Sequence, residues 1–287
     1  MIDFISFART HGVEISSLQQ GDRIYRCPTV AHPNSTNGAY FYNGQRGWVQ
    51  SWESGEPVQW WNSDKVTAWA DQEKREWANR QRVAQESKEK THADAVKRAS
   101  AMMALAERCE HQYLKEKGFE EVFGLVLPEG ELLVPMRDLL SNELRGIQVI
   151  TLVDNKWQKK MIYGMKAKGA VLRIGPSRST EIFLVEGYAT ALSVDAALRL
   201  LHLNASVLAC FSAQNMVHLA QNTTGRRYVF ADNDASGAGE KAAQQAGLPY
   251  CMADEVGMDA NDLHQRSGAM AVAKKIMEVR RRFNNFP

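Results

Sequence analysis

From Glu181 onward, apolar runs of strand length alternate with helical segments, and this alternation constrains the chain more than any other feature. EIFLVEG leads into YATALSVDAALRLLH, SVLACFS into AQNMVHLAQ, and RRYVFADND into ASGAGEKAAQQAG; LPYCMADE makes a fourth strand, and a last helix is expected from about Met270 to Phe283. Strands too apolar to alternate, each followed by a helix, predict a parallel sheet covered on both faces. The fold class expected is therefore α/β in this half and α+β over the whole chain. Upstream, LVLP, LLVPMRD, LRGIQVITL, KKMIYGM and KGAVLRIG predict further strands within residues 119–175.

Residues 1–62 read as short strands and turns. IYRCPTV, GAYFY, GWVQSW and PVQWW are aromatic-rich runs broken by Pro, Asn and Gly, the pattern of a small antiparallel sheet. Between Ser63 and Lys117 there is no Gly or Pro, and Ala, Glu, Lys, Arg and Gln dominate. That segment predicts a solvated helical spacer, with Asn62, Ser63 and Asp64 available as caps and Gly118 as its stop. The expected division is 1–62, a small antiparallel β domain; 63–117, a helical linker; 118–179, a basic subdomain; and 180–287, the parallel-sheet domain with its C-terminal helix.

No stretch approaches eighteen consecutive apolar residues, which excludes a spanning helix. The start, MIDFISFARTHG, lacks the basic and apolar regions of a secretory signal. Cys27, Cys109, Cys210 and Cys251 form no CxxC pair, which fits a reducing cytoplasm.

Carboxylates stand where such a sheet binds ligands. Glu186 ends IFLVEG, and Asp232 and Asp234 end YVFADND. In open parallel sheets the carboxyl ends of the strands form the binding crevice, so all three are expected to face it. Like charges in one crevice repel, and a bound Mg²⁺ or Mn²⁺ with oxygen ligands relieves the repulsion. Ser236-Gly237-Ala238-Gly239 opens the next helix, where free N–H groups hold either a phosphate or the acidic turn. GMDANDLH places Asp259 and Asp262 in a loop after the fourth strand as candidates for a second metal position.

FLVEGYATALS, FSAQN, VFADNDASGAGEKAA and MDANDL, in that order, resemble the Toprim domain of the plasmid- and phage-type DNA primases. HQYLKEKGF, LLVPMRDLLSNELRGIQVITL and KKMIYGMKAKGAVLRIGP resemble the elements preceding Toprim in those enzymes, so the likeness spans about residues 108–265. It implies a Toprim, Rossmann-like parallel core that transfers nucleotidyl groups with divalent metal, Glu186, Asp232 and Asp234 being catalytic and holding the metals together with Asp259 and Asp262. The family often begins with a four-ligand zinc sheet. Here RCPTVAHP offers only Cys27 and His32, so no zinc is expected and Cys27 is expected as a small buried residue. Asn215, in FSAQN, either orients the acidic cluster or caps the following helix, and the cap is the expected role.

From Arg137 to Arg178 nine Lys/Arg face three Asp/Glu, whereas from Glu181 to the end ten bases face eleven acids. A basic stretch beside an acidic site suits a polyanion held next to a metal. Arg137, Arg145, Lys166, Lys168 and Arg173 are the expected contacts to template or nucleotide. The function implied is synthesis of short RNA primers on single-stranded DNA from ribonucleoside triphosphates, in phage or plasmid replication, with a separate replicative helicase as partner and no membrane. No GxxxxGK[ST] is present, so no P-loop helicase is fused to it. The alternatives are a stand-alone Toprim nuclease and a non-catalytic single-strand-binding accessory or antagonist.

Overall fold

Strands rich in aromatic and β-branched residues come together as a four-stranded sheet in the first compact unit, residues 1–81. The computed structural model describes residues 3–53, 57–63 and 71–284. Helix α1 (Phe4–Thr10), capped by Asp3, precedes strands β1 (Gly21–Cys27), β2 (Gly38–Tyr42), β3 (Arg46–Ser51) and β4 (Gln59–Asn62), an antiparallel sheet in chain order. The helix was not expected, because its seven residues are too short for a periodic pattern to register. Phe4 packs with Tyr40, Tyr42 and Trp61 over Gly47, where a Cβ would lie 2.4 Å from the Phe4 ring. Cys27 belongs to this core, and its thiol is pushed up to about 11 by burial. The His32 imidazole is engaged by Glu53 at 2.9 Å.

Helix α2 (Asp71–Leu105) occupies most of the segment expected as a spacer; the capping position Asp64, together with Trp69, lies outside the described residues. The second unit comprises residues 82–287. Within it the last turns of α2 are solvated on one face only: Ala99 is fully buried, and Met102 and Met103 pack with Leu133 and Ile147. The chain continues through β5 (Glu107–Cys109), α3 (Gln112–Glu116), β6 (Gly124–Val126), β7 (Leu132–Asp138), β8 (Leu144–Val153), β9 (Lys156–Met161) and β10 (Ala170–Ile174). Helical composition gives way at Glu107–Cys109 because that segment pairs with β6. Gly118, with φ at +81°, follows the end of α3.

The alternating half forms β11 (Glu181–Val185), α4 (Tyr188–Leu200), β12 (Ala205–Ala209), α5 (Ala213–Asn222), β13 (Arg226–Phe230), α6 (Ala238–Ala246), β14 (Tyr250–Cys251), α7 (Ala260–Ser267) and α8 (Ala269–Asn284). Strands β12, β11, β13 and β14 are parallel neighbours. β10 lies antiparallel between β12 and β7, so the expected subdomain of residues 118–179 and the parallel strands share one ten-stranded sheet, a mixed α/β architecture. Val194, Leu198, Val272, Ile276 and Val279 of α4 and α8 cover one face. Met216, Leu219, Ala242 and Ala243 of α5 and α6 cover the other. The loops leaving adjacent strands β11 and β13 therefore turn to opposite faces, and a crevice opens between their carboxyl ends. Among the described residues no helix is long and apolar enough to cross a membrane.

Candidate active site

Leu184 and Val229 are register partners on β11 and β13, so Glu186 and Asp232 emerge beside one another at the crevice. Glu186 is half-buried, and burial followed by the charge of Asp234 raises its pKa. Asp232 is raised to about 7, first by burial and then by the charges of Asp259, Glu186 and Asp234, with Lys159 opposing. The four expected carboxylates Glu186, Asp232, Asp234 and Asp259 are thus close enough to act on one another. Asp262 is not among the groups acting on Asp232.

Their hydrogen bonds divide them. Asp234 spends both oxygens on the turn into α6: Oδ1 accepts from the Ser236 amide at 2.8 Å and the Ser236 hydroxyl, and Oδ2 accepts from the Gly239 amide at 2.9 Å. Those donors hold its pKa down to about 2, the Ser236 hydroxyl foremost. The free N–H groups at this helix start therefore order the acidic turn. Asp259 and Asp262 do not lie in an open loop; they form the capping box of α7. Asp259 Oδ1 accepts from Asn261 at 2.7 Å and Asp262 at 2.9 Å, and Asp262 Oδ2 accepts from the Asp259 amide at 3.1 Å. Asp259 Oδ2 takes the Thr190 hydroxyl at 3.1 Å. Glu186 and Asp232 accept no side-chain hydrogen bond among the described residues, and Asp232 Oδ1 is buried without a partner.

An orphaned buried oxygen amid carboxylates fits a hard divalent cation, which takes oxygen ligands. Among the described residues no group of three or more His, Cys, Asp or Glu stands in metal-holding geometry.

The backbone around the crevice is tightly specified. A Cβ on Gly239 would lie 2.2 Å from the Asp232 carbonyl oxygen, so only glycine lets α6 start against this strand end. Phe211, with φ at +65°, sits in the left-handed region, and its amide donates to the Glu186 carbonyl at 2.8 Å. Such conformations cost free energy and persist where surrounding structure enforces them. Asn215 does not cap α5; Ser212 does, accepting from the Asn215 amide at 3.2 Å. The Asn215 side chain instead ties two segments together, donating to Ala170 and Cys210 carbonyls at 2.8 Å each and accepting from the Gly169 amide at 2.7 Å.

The five expected basic contacts also divide. Arg145 pairs with Asp138, Arg137 donates to the Asn142 carbonyl at 3.1 Å, and half-buried Arg173 donates to Ser206 at 3.3 Å. Lys166 and Lys168 are exposed. Lys159 was not singled out from sequence; its ammonium stands 5.5 Å from the Tyr113 ring centre and acts on Asp232. Its position on β9 facing the acids depends on strand pairing that charge counting does not show.

Residues 181–270 match the Toprim domain family. The match includes Glu186, Asp232, Asp234, Asp259 and Asp262, and Toprim domains bind divalent metals such as Mg²⁺. A solved structure of the DnaG catalytic core aligns over 68% of this chain and 72% of its own, at 14% identity and a TM-score of 0.37, a likeness too loose to carry an argument. No curated protein matches the chain.

Proposed function

We propose that this chain, with its Toprim domain at residues 181–270, is a DNA primase. It synthesises short RNA primers on single-stranded DNA by divalent-metal-dependent nucleotidyl transfer. Its setting is phage or plasmid replication in a bacterial cytoplasm, beside a separate replicative helicase. The observation that carries the reading is the gathering of Glu186, Asp232, Asp234 and Asp259 around a partnerless buried oxygen between β11 and β13. Glu186 and Asp232 would hold Mg²⁺ or Mn²⁺ directly, with Asp234 and Asp259 supplying further negative charge. Asp262 serves through its cap on Asp259. Bound there, the ion would activate a primer 3′-hydroxyl and neutralise charge on the triphosphate.

The chain's own groups do the rest. Asp232, raised to about 7, would give up its proton on taking a cation, which would couple binding to pH. The Asp234 turn and the Phe211 amide fix the two strand ends, so the carboxylates need little rearrangement when substrate arrives. Lys159 lends a positive charge on the acid side, and exposed Lys166 and Lys168 supply contacts to backbone phosphates.

The test is primer synthesis by variants on a single-stranded circle with four NTPs and Mg²⁺. Glu186→Gln and Asp232→Asn should each abolish product while the fold is retained. Asp262→Ala, which removes the acceptor for the Asp259 amide, should keep product and lose about 1 kcal/mol of stability. Near-wild-type synthesis by either of the first two would refute the assignment.

A further inference from the structure

Strand β14 ends the ten-stranded sheet, with β13 on one side only. The Val229 and Ala231 amides donate to the Pro249 and Cys251 carbonyls at 3.0 and 2.9 Å. Successive residues of a strand face opposite ways, so the N–H and C=O groups of Tyr250 and Met252 point away from β13. No other element pairs with them among the described residues. Sheet edges are ordinarily blunted or covered because unpaired backbone groups invite another chain. Here the edge lies at the bottom of a cleft of about 470 Å³ lined by residues of α6 and α8, with Leu248, Pro249 and Met252 supplying apolar surface.

The charges in this cleft are mostly satisfied. Glu240 accepts the Tyr250 hydroxyl at 2.8 Å. Lys275 lies 2.6 Å from Asp254 and 3.6 Å from Glu278. Arg282 has no hydrogen-bond or ion-pair partner among the described residues. Lys275 places the early part of α8 at the carboxyl end of β14. Seven residues later, about 10 Å along the helix, Arg282 lines the same cleft, as do Leu248 and Pro249, and its charge acts on Cys251. We propose that this groove docks an extended peptide, which adds to β14 as a further strand and sets an acidic side chain beside Arg282. Main-chain bonds to Tyr250 and Met252 would supply affinity, and the single free cation would supply selectivity. The carboxylates Glu240, Asp254 and Glu278 each have the Tyr250 hydroxyl or the Lys275 ammonium within 3.6 Å, so none of them stands alone as Arg282 does.

The test uses the full chain and capped, fluorescent octapeptides of alternating Val and Thr, ending in Asp-Asp (at either end), Lys-Lys or Ser-Ser. Anisotropy should show one of the Asp-Asp peptides binding at least tenfold more tightly than the Lys-Lys and Ser-Ser peptides. Arg282→Glu should reverse that preference. N-methylation of one alternate set of peptide amides should abolish binding, whereas the other set should leave it within about threefold, because a strand pairs through every second residue. Absence of saturable binding by both Asp-Asp peptides, an unchanged preference in Arg282→Glu, or equal loss with both N-methyl sets would overturn the proposal. So would a concentration-dependent dimer of the chain that Arg282→Glu dissolves, since the groove would then belong to a second copy.

Discussion

Replacing Gly239 by alanine tests whether the strand end bearing Asp232 and the start of α6 are built against each other. In an unconstrained helix this change is favourable by about 1 kcal/mol, because alanine is the better helix former. Here the new Cβ would lie 2.2 Å from the Asp232 carbonyl oxygen and 3.1 Å from its carbon, so backbone must move. Overpacking that shifts backbone costs about 1–3 kcal/mol, and the net expectation is a loss of up to about 2 kcal/mol after the helix gain. For a unit the size of residues 82–287, each kcal/mol lowers Tm by about 2–4 °C. The expected drop is therefore up to about 8 °C by calorimetry. The shift also pulls the Gly239 amide from Asp234 Oδ2, now 2.9 Å away, so Mn²⁺ affinity should fall in the same variant. A raised Tm with unchanged Mn²⁺ binding would show that helix propensity governs this position and that the close approach does not matter.

Three further outcomes follow from the same geometry. Asp232, raised to about 7, is more easily ionised in the unfolded chain. Its contribution to the stability of metal-free protein should therefore be full below a pH of about 4, decline as pH rises and level off above about 7. Asp232→Asn should flatten that slope and melt higher than wild type at pH 8 in EDTA; an unchanged slope would remove Asp232 as its source. Asn215→Ala leaves the Gly169 amide and the Ala170 and Cys210 carbonyls without their partner and should cost about 2–4 kcal/mol in urea unfolding. A cost near zero would mean that water replaces the latch. Lys166→Ala with Lys168→Ala should weaken single-strand binding uniformly across sequences and reduce the salt slope by about 1, whereas Arg145→Ala, whose charge is already paired with Asp138, should leave the slope unchanged.

The parallel half was legible because its strands are buried on both faces and so read as unbroken apolar runs, and Glu186 and Asp232 were legible as acids at the ends of those runs. Asp234, Asp259 and Asp262 were harder, since a carboxylate that caps a helix and one that binds a metal carry the same sequence signature. Only the hydrogen bonds separate them: Asp234 and Asp259 spend their oxygens on amides and hydroxyls, and Asp232 does not. The short strand Glu107–Cys109 was hidden in helical composition because β6 recruits it, and pairing overrides propensity. Lys159 was missed as a site residue, and Asn215 was singled out but expected as a cap, for a related reason. One faces the acids from β9, and the other reaches from α5 to Gly169, contacts set by strands distant in sequence.

The most direct measurement follows the product made by the wild-type chain. Incubated with single-stranded circular DNA, labelled ribonucleoside triphosphates and Mg²⁺, it should yield short labelled oligoribonucleotides, and the circle should remain intact. Nicking or shortening of the DNA without ribonucleotide incorporation would contradict the primase reading and assign the same carboxylates to a nuclease, and the absence of both products with Mg²⁺ and with Mn²⁺ would contradict catalysis at this site.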